Sequence, residues 1–377
     1  MELFHMTSKT RVAVGSIGGL LVALLLFPHE GIAADATSSI PKTTKPDQVR
    51  IYRSPEERRD AGLGTQVTDW LRIGGVADLG QEIQHNNFYG TKDLFTRDNP
   101  QLSLEVGFEV NYHDWLEAEV LFAIDESGNR HFQELDEGLI GVNLDEVGAK
   151  IGWLYVPFGA YYSHFVTGPL LEVGQTRAAA LVVDYTFFDS LEIASYIFNS
   201  RADKHKNHNE LDWGVNLEYV SKDESVRIGV GYLSDLAESD DNILEDFKRI
   251  YRRRVPAWEA YALFGITPFE FTAEVLQATR TFKELPENEN KPFSFNTELA
   301  YFPIHSLQFA VRLEHSEELS GEPAWQYGIG TTWAPLERLT VSLEYLYGKY
   351  KKGFALDDND NRQISHHFAA GQITIGF

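Results

Sequence analysis

Cysteine is absent from the 377 residues, which removes disulfide frameworks, thiolate nucleophiles and cysteine zinc sites together. Positive charge is scarce: 33 Lys and Arg stand against 56 Asp and Glu, a formal charge of −23. A nucleic-acid partner needs a basic face that releases counterions from phosphate, so that class is excluded. The chain has no Gly-x-Ser-x-Gly elbow and no Gly-rich phosphate loop. Ser163 and His164 are sequence neighbours and point apart in an extended chain, so no catalysis is expected. His205 and His208, and the tandem His366 and His367, lack an acidic or sulfur partner at a fixed spacing, so neither a metal nor a cofactor is expected. Beyond residue 27 no stretch is apolar enough for a spanning helix, and any membrane role must therefore use strands.

Aromatic side chains are plentiful instead: 24 Phe, 17 Tyr and 7 Trp, in a chain whose mean hydropathy is only −0.28. A disordered acidic chain would carry few of them. The amino terminus has the layout of a secretory signal. Lys9 and Arg11 precede the apolar run from Val12 to Phe27, and the small residues Gly31, Ala33, Ala34 and Ala36 follow. Cleavage is expected near Ala34, leaving 1–34 as signal peptide, 35–68 as a short periplasmic tether and 69–377 as the folded domain.

That domain reads as strands. Leu102, Leu104, Val106, Phe108, Val110 and Tyr112 alternate with Ser103, Glu105, Gly107, Glu109 and Asn111. Period two sends the two sets to opposite faces. The pattern recurs from Leu211 to Tyr219, Leu307 to Leu313 and Leu339 to Tyr347. Strands are expected near 70–80, 101–113, 115–125, 137–145, 148–157, 178–188, 190–199 and 210–220. The second half adds 225–234, 257–266, 269–278, 293–302, 306–315, 324–333, 338–349 and 365–377. Connections alternate between short turns and long loops, the parity of an outer-membrane barrel. The long loops are expected near 81–100, 126–136, 158–177, 200–209, 235–256, 279–292, 316–323 and 350–364. Proline, which cannot donate to a ladder, stays at strand ends. Trp70, Trp115 and Trp333 fall at one end of their strands, and Trp213, Trp258 and Trp325 at the other, as interfacial belts require. The chain closes on Phe377, the aromatic terminus that barrel assembly machinery reads. The fold class is all-β: a transmembrane antiparallel up-and-down barrel of about 16 strands, in the bacterial outer membrane.

If the apolar set faces lipid, the alternate set faces the lumen. There stand Glu105, Glu109, Glu117, Glu119, Asp184, Glu192, Asp212, Glu218, Glu259, Glu270, Glu274, Glu298, Glu314 and Glu344. Against them are Arg72, Lys150, Arg227 and Arg312. Such an interior favours cations, or else its charges hydrate and brace the wall. The long loops are basic by contrast. Arg201, Lys204 and Lys206 occupy one; Arg249, Arg252, Arg253 and Arg254 another, after a short helix expected over 243–251; Lys351 and Lys352 the last. Guanidinium and ammonium groups there would take an anionic ligand or the phosphates of lipopolysaccharide.

The stretch 148–176, GAKIGWLYVPFGAYYSHFVTGPLLEVGQT, resembles the segment shared by LbtU-like siderophore porins. The matching residues are Val156, Pro157, Phe158, Gly159, Pro169, Leu170, Glu172, Gly174 and Thr176, with Arg177 following. That family often carries Asp where Gly168 stands and Glu where Gln175 stands, so this loop has two fewer negative charges. The resemblance implies an outer-membrane porin that binds and admits a ferric siderophore without a plug domain. The loop 158–177, long and aromatic, is the best candidate to fold inward. The reading from residues alone also allows a general cation-preferring diffusion porin with no iron specificity. Expected partners are the siderophore, outer-membrane lipid and lipopolysaccharide, and the assembly machinery through Phe377. The apolar outer wall also permits a homotrimer.

Overall fold

The computed structural model describes residues 64–113, 115–127, 130–200, 211–240, 243, 253–287, 289–319, 321–351 and 362–377. Residues 1–34, expected as a signal peptide, nearly all of the expected tether and most of the stretch expected as a helix over 243–251 lie outside them. Eighteen strands are present among the described residues. The first nine are β1 (Thr65–Thr68), β2 (Leu71–Phe88), β3 (Leu94–Arg97), β4 (Gln101–Tyr112), β5 (Leu116–Ser127), β6 (Arg130–Leu144), β7 (Val147–Tyr155), β8 (Arg177–Phe187) and β9 (Leu191–Asn199). The remainder are β10 (Leu211–Val220), β11 (Val226–Leu233), β12 (Ala257–Ile266), β13 (Phe269–Ala278), β14 (Phe293–Ile304), β15 (Leu307–Glu317), β16 (Trp325–Leu336), β17 (Leu339–Lys349) and β18 (Gln363–Gly376).

Sixteen of these form a closed antiparallel wall, and the short β1 and β3 both pair with β2. Each wall strand pairs with its sequence neighbours, and β18 pairs with β2 from Gly376↔Val76 to Gln363↔Phe88. Phe377 completes the seam by exchanging backbone hydrogen bonds with Gly75 at 2.9 and 3.0 Å. Closure leaves no edge, the one way a sheet can satisfy its backbone in hydrocarbon.

Alternation explains which face is which. On β16, Trp325, Tyr327, Ile329 and Trp333 point outward; Gln326, Gly328, Gly330 and Thr332 point inward. The outward apolar side chains keep large exposure, 60% at Ile329, 58% at Leu343 and 52% at Val311, because lipid rather than protein covers them. Tryptophans Trp70, Trp115 and Trp333 sit at the tight-turn end, with Trp213 and Trp325 at the other.

The strands depart from expectation where lipid ends. The loops expected over 81–100 and 126–136 are largely strand: β2 continues to Phe88 and takes up β3, β5 runs to Ser127 and β6 begins at Arg130. Gln84, His85, Asn86 and Asn87 are polar in succession. Above the apolar band neither face of a strand meets hydrocarbon, so hydrogen bonding persists while the hydropathy period vanishes.

Candidate functional site

Residues 156–176 connect β7 to β8, and Val156 N donates to Thr176 O at 2.9 Å to close the base of the connection. Between these points the chain runs inside the barrel. It turns in through positive φ at Gly159 (85°) and Tyr161 (48°), and one 3-10 turn, Leu170–Gly174, brings it back. A Cβ at Gly159 would overlap the Glu259 carboxylate, so glycine is required there for space as well as for φ.

An extended segment in a lumen carries backbone N–H groups that no ladder serves. Wall glutamates accept them. Glu274 takes Ala160 N at 2.6 Å and Tyr161 N at 3.2 Å. Glu298 takes His164 N at 2.7 Å. Glu344 takes Val166 N at 2.6 Å and Thr167 N at 3.2 Å, and Glu314 takes Leu170 N at 2.7 Å. Side chains of the segment add to this: Tyr161 OH donates to Glu259 (2.9 Å) and Tyr162 OH to Glu270 (3.1 Å). The buried His164 ring lies between two carboxylates, Nδ1 2.8 Å from Glu298 and Nε2 3.2 Å from Glu270.

Arg312 of β15 serves the segment's carbonyls. Its guanidinium donates to Thr167 O (2.8 Å) and Gly168 O (3.1 Å), to Ser163 Oγ, and through Nε to Glu298 Oε1 (2.8 Å). Gln308 Nε2 donates to His164 O at 2.9 Å. Phe165 packs its ring against Arg312, 4.3 Å from the guanidinium carbon. Room for that ring comes from β16, where a Cβ on Gly328 would stand 2.8 Å from Phe165. These charges are buried, yet each faces an opposite charge or a hydrogen-bonding partner, the condition for keeping ions out of water.

The other side of the segment is apolar. Phe158 and Leu171 join Leu154, Leu233, Leu236, Leu276, Phe198 and Phe282 in a buried cluster inside the barrel. A Cβ on Gly174 would overlap Leu276, so glycine lets the returning chain pack flat on β13. The interior is thus not uniformly acidic: the wall from β8 to β13 presents a hydrophobic core to the segment.

The residues of the sequence motif therefore lie together. Pro157, Phe158, Gly159, Pro169, Leu170, Gly174 and Thr176 are in or beside this docked segment, and Glu172 is its exposed carboxylate. Arg177 begins β8, where it pairs with Asp136 and with Asp240 at 3.5 Å and stacks over Tyr155 at 5.5 Å. The acids expected to line the lumen divide by task. Glu259, Glu274, Glu298 and Glu344 hold the segment. Glu218 accepts Tyr261 OH at 2.6 Å and stands 3.7 Å from Arg227. Glu105, Glu109, Glu117 and Glu119 lie on β4 and β5, away from it; Glu109 pairs with Arg72 at 3.2 Å and Glu117 with Lys150 at 3.3 Å. Of the basic loop residues, Arg201, Lys204, Lys206, Arg249, Arg252 and Lys352 fall outside the described residues. Arg253 and Lys351 are exposed. Arg254 instead faces the wall, 2.6 Å from Asp212 and donating to Leu211 O at 2.7 Å. Tyr161 and Phe165 belong to the aromatic loop expected to fold inward, whereas His164 and Gln308 are docking residues that sequence reasoning missed. Their partners are more than 90 positions away, beyond the reach of any periodic signal.

Among the described residues, one carboxylate group has cation-holding geometry: Asp212, Asp235 and Glu238, all buried, with ligand atoms within 4.8 Å of one another. Protein donors already face it, namely Arg254, Val255 N on Asp235 (3.2 Å) and Ser200 Oγ on Glu238 (2.5 Å).

No family model matches the chain. A "UPF0422 protein" of Coxiella burnetii (strain RSA 493 / Nine Mile phase I) is 32% identical over 296 residues, 71% of this chain and 61% of that protein. The chain thus spans under two thirds of that relative's length. Three solved structures resemble the barrel closely in form and little in sequence. An anion-selective porin from Comamonas acidovorans has a TM-score of 0.60 at 8% identity, covering 81% of this chain and 99% of that one. The outer membrane channel DcaP of Acinetobacter baumannii has 0.54 at 11%, covering 84% and 100%. OmpF of Salmonella typhi, in complex with daunomycin, has 0.56 at 15%, covering 82% and 98%. The fold is that of the outer-membrane porins.

Proposed function

We propose that this protein is an outer-membrane channel whose bore is set by the docked 156–176 segment. The observation that carries the proposal is the docking itself. Four wall glutamates, one buried arginine and an apolar cluster hold one connection across the interior of a closed barrel. A barrel built only as a membrane anchor has no need of a positioned internal segment, whereas a channel uses one to limit what passes. The anion selectivity of the Comamonas porin does not carry over, since glutamates dominate the half-exposed inner wall of β4 and β5.

Within that reading the cargo we propose is a ferric siderophore. Its support is the likeness of residues 148–176 to siderophore porins, since that same stretch supplies the internal segment. General diffusion of cations is the second reading, favoured by the acidic β4–β5 wall. Labelled-iron uptake into iron-starved cells, with and without the chain, separates them. Uptake that depends on the protein for one purified siderophore supports the first, and equal uptake of all supports the second. Reversing Arg252 and Arg253 to Glu tests capture by the outer loops. Arg254 is left out of that variant because its contact with Asp212 ties it to the wall. Lipopolysaccharide, the assembly machinery acting on Phe377 and a homotrimer joined through the apolar wall complete the proposed partners.

A further inference from the structure

We propose that the chain leading into β1 enters the lumen at the tight-turn end, where residues 56–63 lie against the inner wall of β2, β4 and β5 and narrow the channel a second time. The narrowing rests on the channel reading above; the placement rests on how the seam of the barrel is closed.

β1 and β18 share one edge of β2, the other edge being taken by β4 from Leu71 to Gly80. β18 follows the shared edge down to Gly376↔Val76, and Phe377 then exchanges backbone hydrogen bonds with Gly75. β1 takes up the same edge two residues lower, at Thr65↔Ile73, and runs on to Thr68↔Leu71. Gly64 is left beside Gly74: a Cβ built on it would stand 3.2 Å from the Gly74 Cα. The next place along the edge, beside Gly75, is already held by Phe377. The chain arriving at Gly64 therefore cannot come along the ladder and must come from one face of the sheet. Gly64 has a φ of +123°, open to glycine and rarely adopted by other residues, as a turn out of the ladder requires.

The outer face is closed to that chain. Ile73 and its β4 partner Phe108 belong to the lipid-facing set, and Phe108 is 37% exposed. The approach to Gly64 reads Glu56-Glu57-Arg58-Arg59-Asp60-Ala61-Gly62-Leu63, five charges in eight residues. Hydrocarbon excludes such a stretch, both for its charges and for backbone groups that would find no partner there. The inner face suits it. Gly64 borders a cavity whose wall holds both signs, Glu105, Glu109 and Glu119 with Arg72 and Arg338, as the arriving stretch does. Val76 and Leu121 add an apolar patch to the same wall. Leu63, nearest to Gly64, meets that patch, and Arg58 and Arg59 come to lie among the glutamates, whose carboxylates match the guanidinium fork.

The absence of cysteine makes the test direct, because a disulfide can join only the two thiols introduced. Gly107 and Phe108 are neighbours on β4 that face opposite sides: Gly107 lines the cavity and Phe108 meets lipid. The full chain in outer-membrane vesicles is oxidised with copper phenanthroline, which reaches thiols in water and in lipid. Ala61→Cys should link to Gly107→Cys and not to Phe108→Cys; Leu121→Cys serves as the inward partner if the first pair fails to insert. A link at Phe108, or none at either inward position, would overturn the placement whatever the channel carries. In planar bilayers, Arg58→Glu with Arg59→Glu should raise the single-channel conductance above wild type, and an unchanged conductance would overturn the narrowing. A correctly folded wild-type chain that passes no current would overturn the channel reading itself, with the disulfide result still deciding the placement.

Discussion

The inner walls on the two sides of this barrel use the same residue, glutamate, for different work. From β13 to β17 Glu274, Glu298, Glu314 and Glu344 accept backbone N–H groups of a segment that arrives from the β7–β8 connection, and they are buried by it. On β4 and β5, Glu109 pairs with Arg72 and Glu117 with Lys150, both half in water. Both sets sit at alternate positions of strands with the same outward pattern. What lies against an inward carboxylate in space therefore decides whether it braces the segment or faces water.

That contrast can be broken hardest at Arg312. Arg312→Ala removes donors to Thr167 O, Gly168 O and Glu298 and leaves buried carboxylates without their counter-charge. A loss of about 3–5 kcal/mol is expected, read as a lower urea midpoint in detergent, together with a larger conductance as the segment loosens. A midpoint equal to wild type would show that the segment does not depend on this node. Next, Ile329→Arg puts a charge on the lipid face at mid-strand and should cost about 2–4 kcal/mol. Ser103→Arg, on the open inner wall, should leave the midpoint near wild type and change selectivity instead.

Smaller effects sharpen the division between glutamates. Glu344→Gln keeps an acceptor for Val166 N and Thr167 N but removes its charge, for about 1–2 kcal/mol, the margin by which charged acceptors exceed neutral ones. Glu117→Gln on the open wall should fall within about 0.5 kcal/mol of wild type; matched losses at both sites would erase the distinction drawn here. Gly159→Ala should cost about 1–2 kcal/mol by strain alone, as a left-handed residue. Its Cβ must also displace Glu259, so a drop in conductance reports that the segment has shifted.

Much of the wall was legible in the chain. The strand expected over 257–266 is β12 to the residue, and 210–220 differs from β10 by one. These lie in lipid, where each outward residue must be apolar. Legibility failed along Gln81 to Phe88, where the strand leaves the apolar band and its pattern ends. For the site, the stretch 148–176 stood out as a motif, while its mode of attachment did not. His164 reads in sequence as a neighbour of Ser163 that cannot act with it; in space it is clamped by Glu270 and Glu298, 106 and 134 positions away.

Strand number, which face meets lipid and the belts of tryptophan were determined by the sequence alone, because period two is a local property that hydrocarbon enforces residue by residue. Which glutamates hold the 156–176 segment and which face water was decided only by the tertiary structure. Those contacts join strands far apart in the chain, as Val166 and Glu344 are at 178 positions, and only a closed barrel brings such residues within hydrogen-bonding reach.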